Sequence, residues 1–97
     1  MKNYELMYIL MPDLDDAALA AEGEALQKIL TDNGAKITGV NTNDWGMRDL
    51  AYPIKKQTKG YYAVVTFSAK AKAVNEFNRI VPLDQKVMRF LITVANN

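Results

Sequence analysis

Residues 3–12, Asn3-Tyr4-Glu5-Leu6-Met7-Tyr8-Ile9-Leu10-Met11-Pro12, are the stretch whose reading decides the fold. Over residues 3–11 the side chains of a pleated strand alternate between faces. Tyr4, Leu6, Tyr8 and Leu10 then fall on one side, with Glu5, Met7, Ile9 and Met11 on the other. Apolar residues on both sides predict a central strand, with both faces covered or one face reserved for a partner. Pro12 ends it, because a residue without a backbone N–H cannot continue the ladder.

Downstream of this strand, Asp13 or Leu14-Asp15-Asp16 opens a helix. Carboxylates there accept from the free N–H groups of the first turn and complement the helix dipole. Leu19, Leu26, Ile29 and Leu30 lie near one stripe, and Glu22, Gln27 and Lys28 are expected to stay wet. Asn33-Gly34 supplies the positive-φ stop. Gly23, inside the helix, costs about 1 kcal/mol relative to alanine, and a close contact is the one account the sequence offers for it. Residues 35–48 alternate loosely around Ile37 and Val40 and read as a second strand, bent or bulged near Gly39 or Gly46. Leu50-Ala51-Tyr52-Pro53-Ile54 continues it, and Pro53 assigns that part to a sheet edge. Residues 55–60 read as a polar turn, and Tyr61 to Phe67 as a third strand rich in aromatic and β-branched residues. Ser68 is the expected N-cap of a second helix starting at Ala69, with Ala73, Val74, Phe77 and Ile80 as its apolar stripe. Pro82 blocks its continuation, and Val87 to Val94 forms the last strand.

The order is βαββαβ. It predicts an α+β, ferredoxin-like fold in which two helices cover one face of a four-stranded antiparallel sheet. The opposite face is then open, with Met7, Ile9, Met11, Tyr62 and Val64 as its apolar members, and an exposed apolar patch marks an interaction surface.

The chain of 97 residues suits a single domain spanning 1–97. It has no cysteine and no apolar run near the roughly 20 residues that cross a bilayer, so a soluble cytoplasmic protein without a membrane partner is expected. Its charge is uneven. Residues 1–35 carry Lys2 and Lys28 against seven carboxylates, a net of −5, and residues 36–97 carry ten basic residues against four acidic, a net of +6. That asymmetry points to an anionic partner approaching one side.

Catalysis is poorly provided for. Histidine and cysteine are absent, removing the commonest general base and the thiolate nucleophile, and Ser68 is the single serine. Asp13, Asp15 and Asp16 lack the glycine and glutamate positions of a calcium loop and are accounted for as first-turn carboxylates. The five glycines form no phosphate-cradling pattern, so no cofactor or small-molecule substrate is expected. Two binding classes remain. Lys59-Gly60-Tyr61-Tyr62-Ala63-Val64 partly imitates the third-strand motif of RNA-recognition domains, which stack bases on strand aromatics. The imitation fails at Tyr62, where a small residue belongs, and at Ala63, where the second stacking aromatic belongs. The other class receives a protein on its open sheet and touches phosphates with Lys and Arg.

Four ordered segments carry a resemblance across nearly the whole chain. They are Tyr4 to Leu10 with Pro12-Asp13-Leu14-Asp15; Trp45-Gly46 with Arg48 and Leu50-Ala51-Tyr52-Pro53-Ile54-Lys55-Lys56; Lys59-Gly60-Tyr61-Tyr62; and Val87-Met88-Arg89-Phe90. Together they resemble the bacterial small-subunit ribosomal protein six family. The resemblance implies a ferredoxin-like fold and a structural, non-enzymatic role in the small ribosomal subunit. It also implies a partner, ribosomal protein eighteen, with which the pair binds 16S ribosomal RNA during assembly of the central domain.

Within that frame Lys2, Arg48, Lys55, Lys56, Arg79, Lys86 and Arg89 are the expected phosphate contacts. Each phosphate neutralised releases counterion and makes binding salt-sensitive. Leu50, Tyr52, Tyr62 and Val64 are the expected partner-protein surface, since aromatic and aliphatic anchors dominate such interfaces. Trp45, beside Gly46, is expected either to serve the bend of the second strand or to make a contact of its own. Two features depart from the pattern: Asp49 stands where a basic residue is usual, and the chain ends at Ala95-Asn96-Asn97 without an extended charged tail. Both point to fewer RNA contacts from this protein and more from its partner.

Overall fold

A computed structural model describes residues 1–95, the side chains of residues 43–45 excepted; the reading of Trp45 therefore lies outside the described residues. Four strands and two helices follow the order expected from the sequence: β1 (Lys2–Leu10), α1 (Asp16–Asp32), β2 (Lys36–Ile54), β3 (Gln57–Ala69), α2 (Ala71–Ile80) and β4 (Val87–Val94), with a short 3₁₀ turn at Val81–Leu83 before β4. The sheet order is β2-β3-β1-β4, and each neighbouring pair is antiparallel. β1 is central, as its two apolar faces require.

Pairing fixes the faces. Leu6 stands opposite Val65, Tyr8 opposite Ala63 and Leu10 opposite Tyr61, and this set turns toward the helices. Leu6, Leu10, Val65 and Phe67 are fully buried there with Leu26 and Leu30 of α1 and Ala73 and Phe77 of α2. Tyr4 stacks on Phe67 at 5.4 Å between ring centroids, and Phe77 meets Phe90 edge-on at 5.3 Å. Aromatic pairs in these geometries add stabilisation beyond the area they bury. The alternate residues Met7, Ile9, Tyr62 and Val64 face the other way, but this face is less open than expected: Ile9 and Val64 are buried, and Met7, Met11 and Tyr62 are half-buried.

Helix α1 starts at Asp15, whose carboxylate accepts from the Ala18 N–H at 2.7 Å. It ends in a Schellman turn. Gly34 takes φ of +90°, Ala35 N–H donates to Leu30 C=O at 3.0 Å, and Gly34 N–H donates to Thr31 C=O at 3.1 Å. Gly23 has its explanation in β1: a Cβ there would stand 3.1 Å from the Tyr8 hydroxyl.

Three expectations need correction. Ser68 does not cap α2. It belongs to β3, paired with Asn3 of β1 and Lys36 of β2, and the helix begins at Ala71 after Lys70. Pairing with strands on both sides outweighed the capping preference. The turn between β2 and β3 is shorter than read: only Lys55 and Lys56 lie outside the ladder, at φ of +50° and +65°. Positive φ at both central residues makes it the primed type that suits hairpin twist. Finally, Glu22 does not stay wet. It is 6% exposed, beside Leu26 and Leu30 on the buried stripe.

Candidate functional site

The length of the β2–β3 hairpin builds the site. β1 pairs with β3 only from Tyr61 onward, so residues 57–60 and their β2 partners overrun the end of β1. Of the register shifts in β2, those between Ile37 and Gly39 and between Asn41 and Gly46 lie alongside the β1-paired part of β3, while the one between Asp49 and Ile54 falls within this overhang. Its tip reaches the far edge strand, where the Lys55 ammonium donates to the Val87 carbonyl at 3.2 Å. Arg89 of β4 donates to the Tyr52 hydroxyl, and its guanidinium carbon lies 5.8 Å from the Tyr52 ring centroid. β2 and β4, the two outer strands of the sheet, are therefore clasped across the open face.

Gly60 lets the clasp close. A Cβ at this position would fall 2.4 Å from Ile9 Cγ2 and 3.3 Å from Met88 Sδ, with Leu50 Cδ2 at 3.5 Å. Ile9, Met88 and Leu50 thus meet where only a hydrogen atom fits. Beside them lies a hollow of about 460 Å³ lined by Met7, Ile9, Tyr62, Arg89, Phe90 and Leu91. Leu91 in its lining is 61% exposed, and Tyr52, the partner of the lining Arg89, is 54% exposed. A concave apolar surface bordered by cations suits an anchor side chain from another macromolecule.

The four residues expected to meet a protein come together here. Tyr62 is half-buried and Val64 is buried, both on the open face through their pairing with Ile9 and Met7. Leu50 approaches Gly60 on the same side, and Tyr52 extends the surface to Arg89. The basic set divides. Lys55 and Arg89 form the clasp, Lys56 shares the tip with Lys55, and Lys86 directly precedes β4 with its N–H held by Asp84 at 2.9 Å. Arg48 pairs in register with Gly60 and adds a cation on the overhang. Lys2 stands at the opposite end of β1, paired with Ala69, seven residues from Ile9 and so about 24 Å away along the strand. Arg79 sits on the helix layer, bound to Glu76 at 2.7 Å. Neither joins the clasp.

Asp49 is the register partner of Lys59, so opposite charges face each other across the hairpin. Sequence reading missed Leu91 and Met88 as members of this surface. Alternation along β4 from Arg89 carried a signal for Leu91. Met88 enters through the close approach at Gly60, for which no sequence signal exists.

Residues 3–94 match the family profile described as ribosomal protein S6. The chain belongs to the ribosomal protein S6 family. Among solved structures, it is similar to the crystal structure of 30S ribosomal protein S6 from Thermotoga maritima, with 26% sequence identity and a TM-score of 0.89. The alignment covers 97% of this chain and 87% of that one. The ribosomal protein S6 family is structural and non-enzymatic, and membership assigns the chain a structural role in the small ribosomal subunit, in the cytoplasm. No helix among the described residues is long and apolar enough to cross a membrane.

Proposed function

We propose that this chain acts as one domain over residues 1–97 and binds 16S ribosomal RNA jointly with ribosomal protein eighteen during assembly of the central domain. The observation that carries the reading is the clasp, which places an apolar open face directly beside a group of cations. Leu50, Tyr52 and Tyr62 offer the protein partner an apolar surface, with Val64 buried beside Tyr62 on the same face, while Lys55, Lys56, Lys86, Arg89 and Arg48 meet phosphates at its border. Lys2 and Arg79, placed elsewhere, act as outlying contacts.

The alternative, a stand-alone binder of single-stranded RNA, loses ground on orientation. In the motif that Lys59-Gly60-Tyr61-Tyr62-Ala63-Val64 imitates, the third and fifth positions present stacking aromatics. Here those positions are Tyr61 and Ala63, and Ala63 is fully buried on the helix side of the sheet. Tyr61 pairs with Leu10 on that same side. Bases have no aromatic platform in the expected frame.

The test is binding of a central-domain 16S fragment, with and without ribosomal protein eighteen, across a salt series. The five border contacts from this chain give a slope of about −4 in log K against log salt. Tight, salt-sensitive binding seen only with the partner supports the joint reading. Equal binding by this chain alone favours the single-stranded RNA reading, and no binding in either format removes both.

A further inference from the structure

On the helix side of the sheet, away from the clasp, a groove of about 350 Å³ runs between α1 and β2. Its apolar wall is Leu19, Ala20 and the half-exposed Val40. Asp16 and Glu24 stand on the same helix stripe, eight residues and so about 12 Å apart along the axis. Neither forms an ion pair among the described residues, and neither has a basic neighbour among the residues lining the groove.

Between the two carboxylates the Tyr8 hydroxyl reaches the groove at Gly23. Tyr8 is 2% exposed, yet its hydroxyl has no hydrogen-bond partner among the described residues. A side chain at position 23 would crowd that hydroxyl, since a Cβ would stand 3.1 Å from it. Burial, with Tyr61 and Glu22 nearby, pushes the Tyr8 phenol up to about 12, so it stays protonated and offers its lone pairs to a donor. The helix-dipole charge at the Asp16 end, which would repel a cation, is partly answered by the Asp15 cap.

We propose that this groove binds a linear aliphatic polyamine lying along α1. One terminal ammonium meets Asp16 and the other Glu24. An inner nitrogen donates to Tyr8 Oη, and the methylenes cover Leu19, Ala20 and Val40. Two carboxylates about 12 Å apart with apolar wall between them match a chain carrying charge at both ends better than a compact metal ion. The site is independent of the clasp and of the RNA reading.

The experiment is an NMR titration of the full chain with spermidine at constant ionic strength, alongside putrescine, magnesium and a lysine-rich peptide. The expected result is saturable one-to-one binding, with shifts centred on Tyr8, Gly23 and Val40 and putrescine binding more weakly. Each of Asp16→Asn and Glu24→Gln weakens spermidine about two- to fivefold, the range for one exposed ion pair. Tyr8→Phe, which keeps the core volume, weakens it while leaving the fold's amide spectrum intact. Shifts that never saturate, that survive both carboxylate substitutions, or that magnesium reproduces at equal ionic strength overturn the proposal. Tighter binding of the peptide in the same groove also overturns it and assigns the groove to a protein segment.

Discussion

Replacing Glu22 by glutamine tests how the two helices share their interior with the loop before β4. Glu22 is 6% exposed, and its Oε2 is buried without a hydrogen-bond partner. Burial pushes its carboxyl from the usual 4.5 up to about 7, helped by hydrogen bonding to Asp84 and by the negative charge there, and opposed by Lys86. The folded chain therefore keeps a proton that the unfolded chain loses above pH 4.5. The group's contribution is complete below pH 4.5, declines as pH rises from 4.5 to 7, and is flat beyond. At about 1.4 kcal/mol per pKa unit the ceiling is about 3.5 kcal/mol. Because Lys86 opposes the shift and water reaches the loop, about 1–2 kcal/mol is expected.

Glutamine keeps the shape, carries no charge, and can donate to the Asp84 carboxylate as the protonated acid does. Glu22→Gln should match the parent near pH 4.5 and exceed it by about 1–2 kcal/mol at pH 8, or about 5–10 °C in Tm for a domain this size. Urea unfolding followed by circular dichroism at half-unit pH steps measures it. The chain has no histidine, so few other groups titrate in the window. A parent whose stability is level from pH 4.5 to 7.5, or a variant with the same slope, refutes the reasoning.

Gly60→Ala forces a methyl group onto Ile9 Cγ2, 2.4 Å from its ideal position, and should cost about 1–3 kcal/mol in urea unfolding while loosening the hairpin tip. Asp15→Ala removes the carboxylate that accepts from Ala18 N–H and should lower stability by about 0.5–2 kcal/mol, with α1 amides near its start exchanging faster. Asp49→Lys places like charges opposite Lys59, which should cost a few tenths of a kcal/mol in stability. On the proposed function the same change strengthens RNA binding by the pair and steepens the salt slope by about one contact; unchanged affinity in a filter-binding series places Asp49 away from phosphate.

The fold was legible because periodicity changes sharply along the chain, from the alternation of Tyr4 to Leu10 to the stripe of Leu26 and Leu30. The faces of β1 followed from alternation alone. What escaped were features set by distant partners. Gly23 answers to Tyr8, fifteen positions earlier and on another element. Ser68 carried a true capping preference that two flanking strands overrode. Glu22 lies four residues before Leu26 and eight before Leu30, so the stripe did include it; its charge argued for water, and burial won by raising the carboxyl toward its neutral form. The Lys55-Lys56 turn lacked the glycine or asparagine that signals positive φ. Of the expected contacts, Tyr52 and Arg89 belong to separate strands, and their meeting depends on an overhang that only the β1–β3 register reveals.

That overhang gives the proposed function a physical logic. Lys55 holds the Val87 carbonyl and Tyr52 holds Arg89, so the cations and the apolar anchors belong to one mechanical element rather than to two patches. Its tip is tied to β4 by the Lys55 ammonium and the Arg89 guanidinium, with Ile9, Leu50 and Met88 packed around Gly60. A hairpin end that overruns its neighbouring strand opens at lower free energy than the core sheet. A protein covering Leu50, Tyr52 and Tyr62 would hold the tip down and fix the spacing of Lys55, Lys56 and Arg89. The ordering cost is then met before RNA arrives, and the two binding events favour each other by the same factor. With a net charge of only +1, the chain gains more from such coupling than it could from its own electrostatic attraction to RNA.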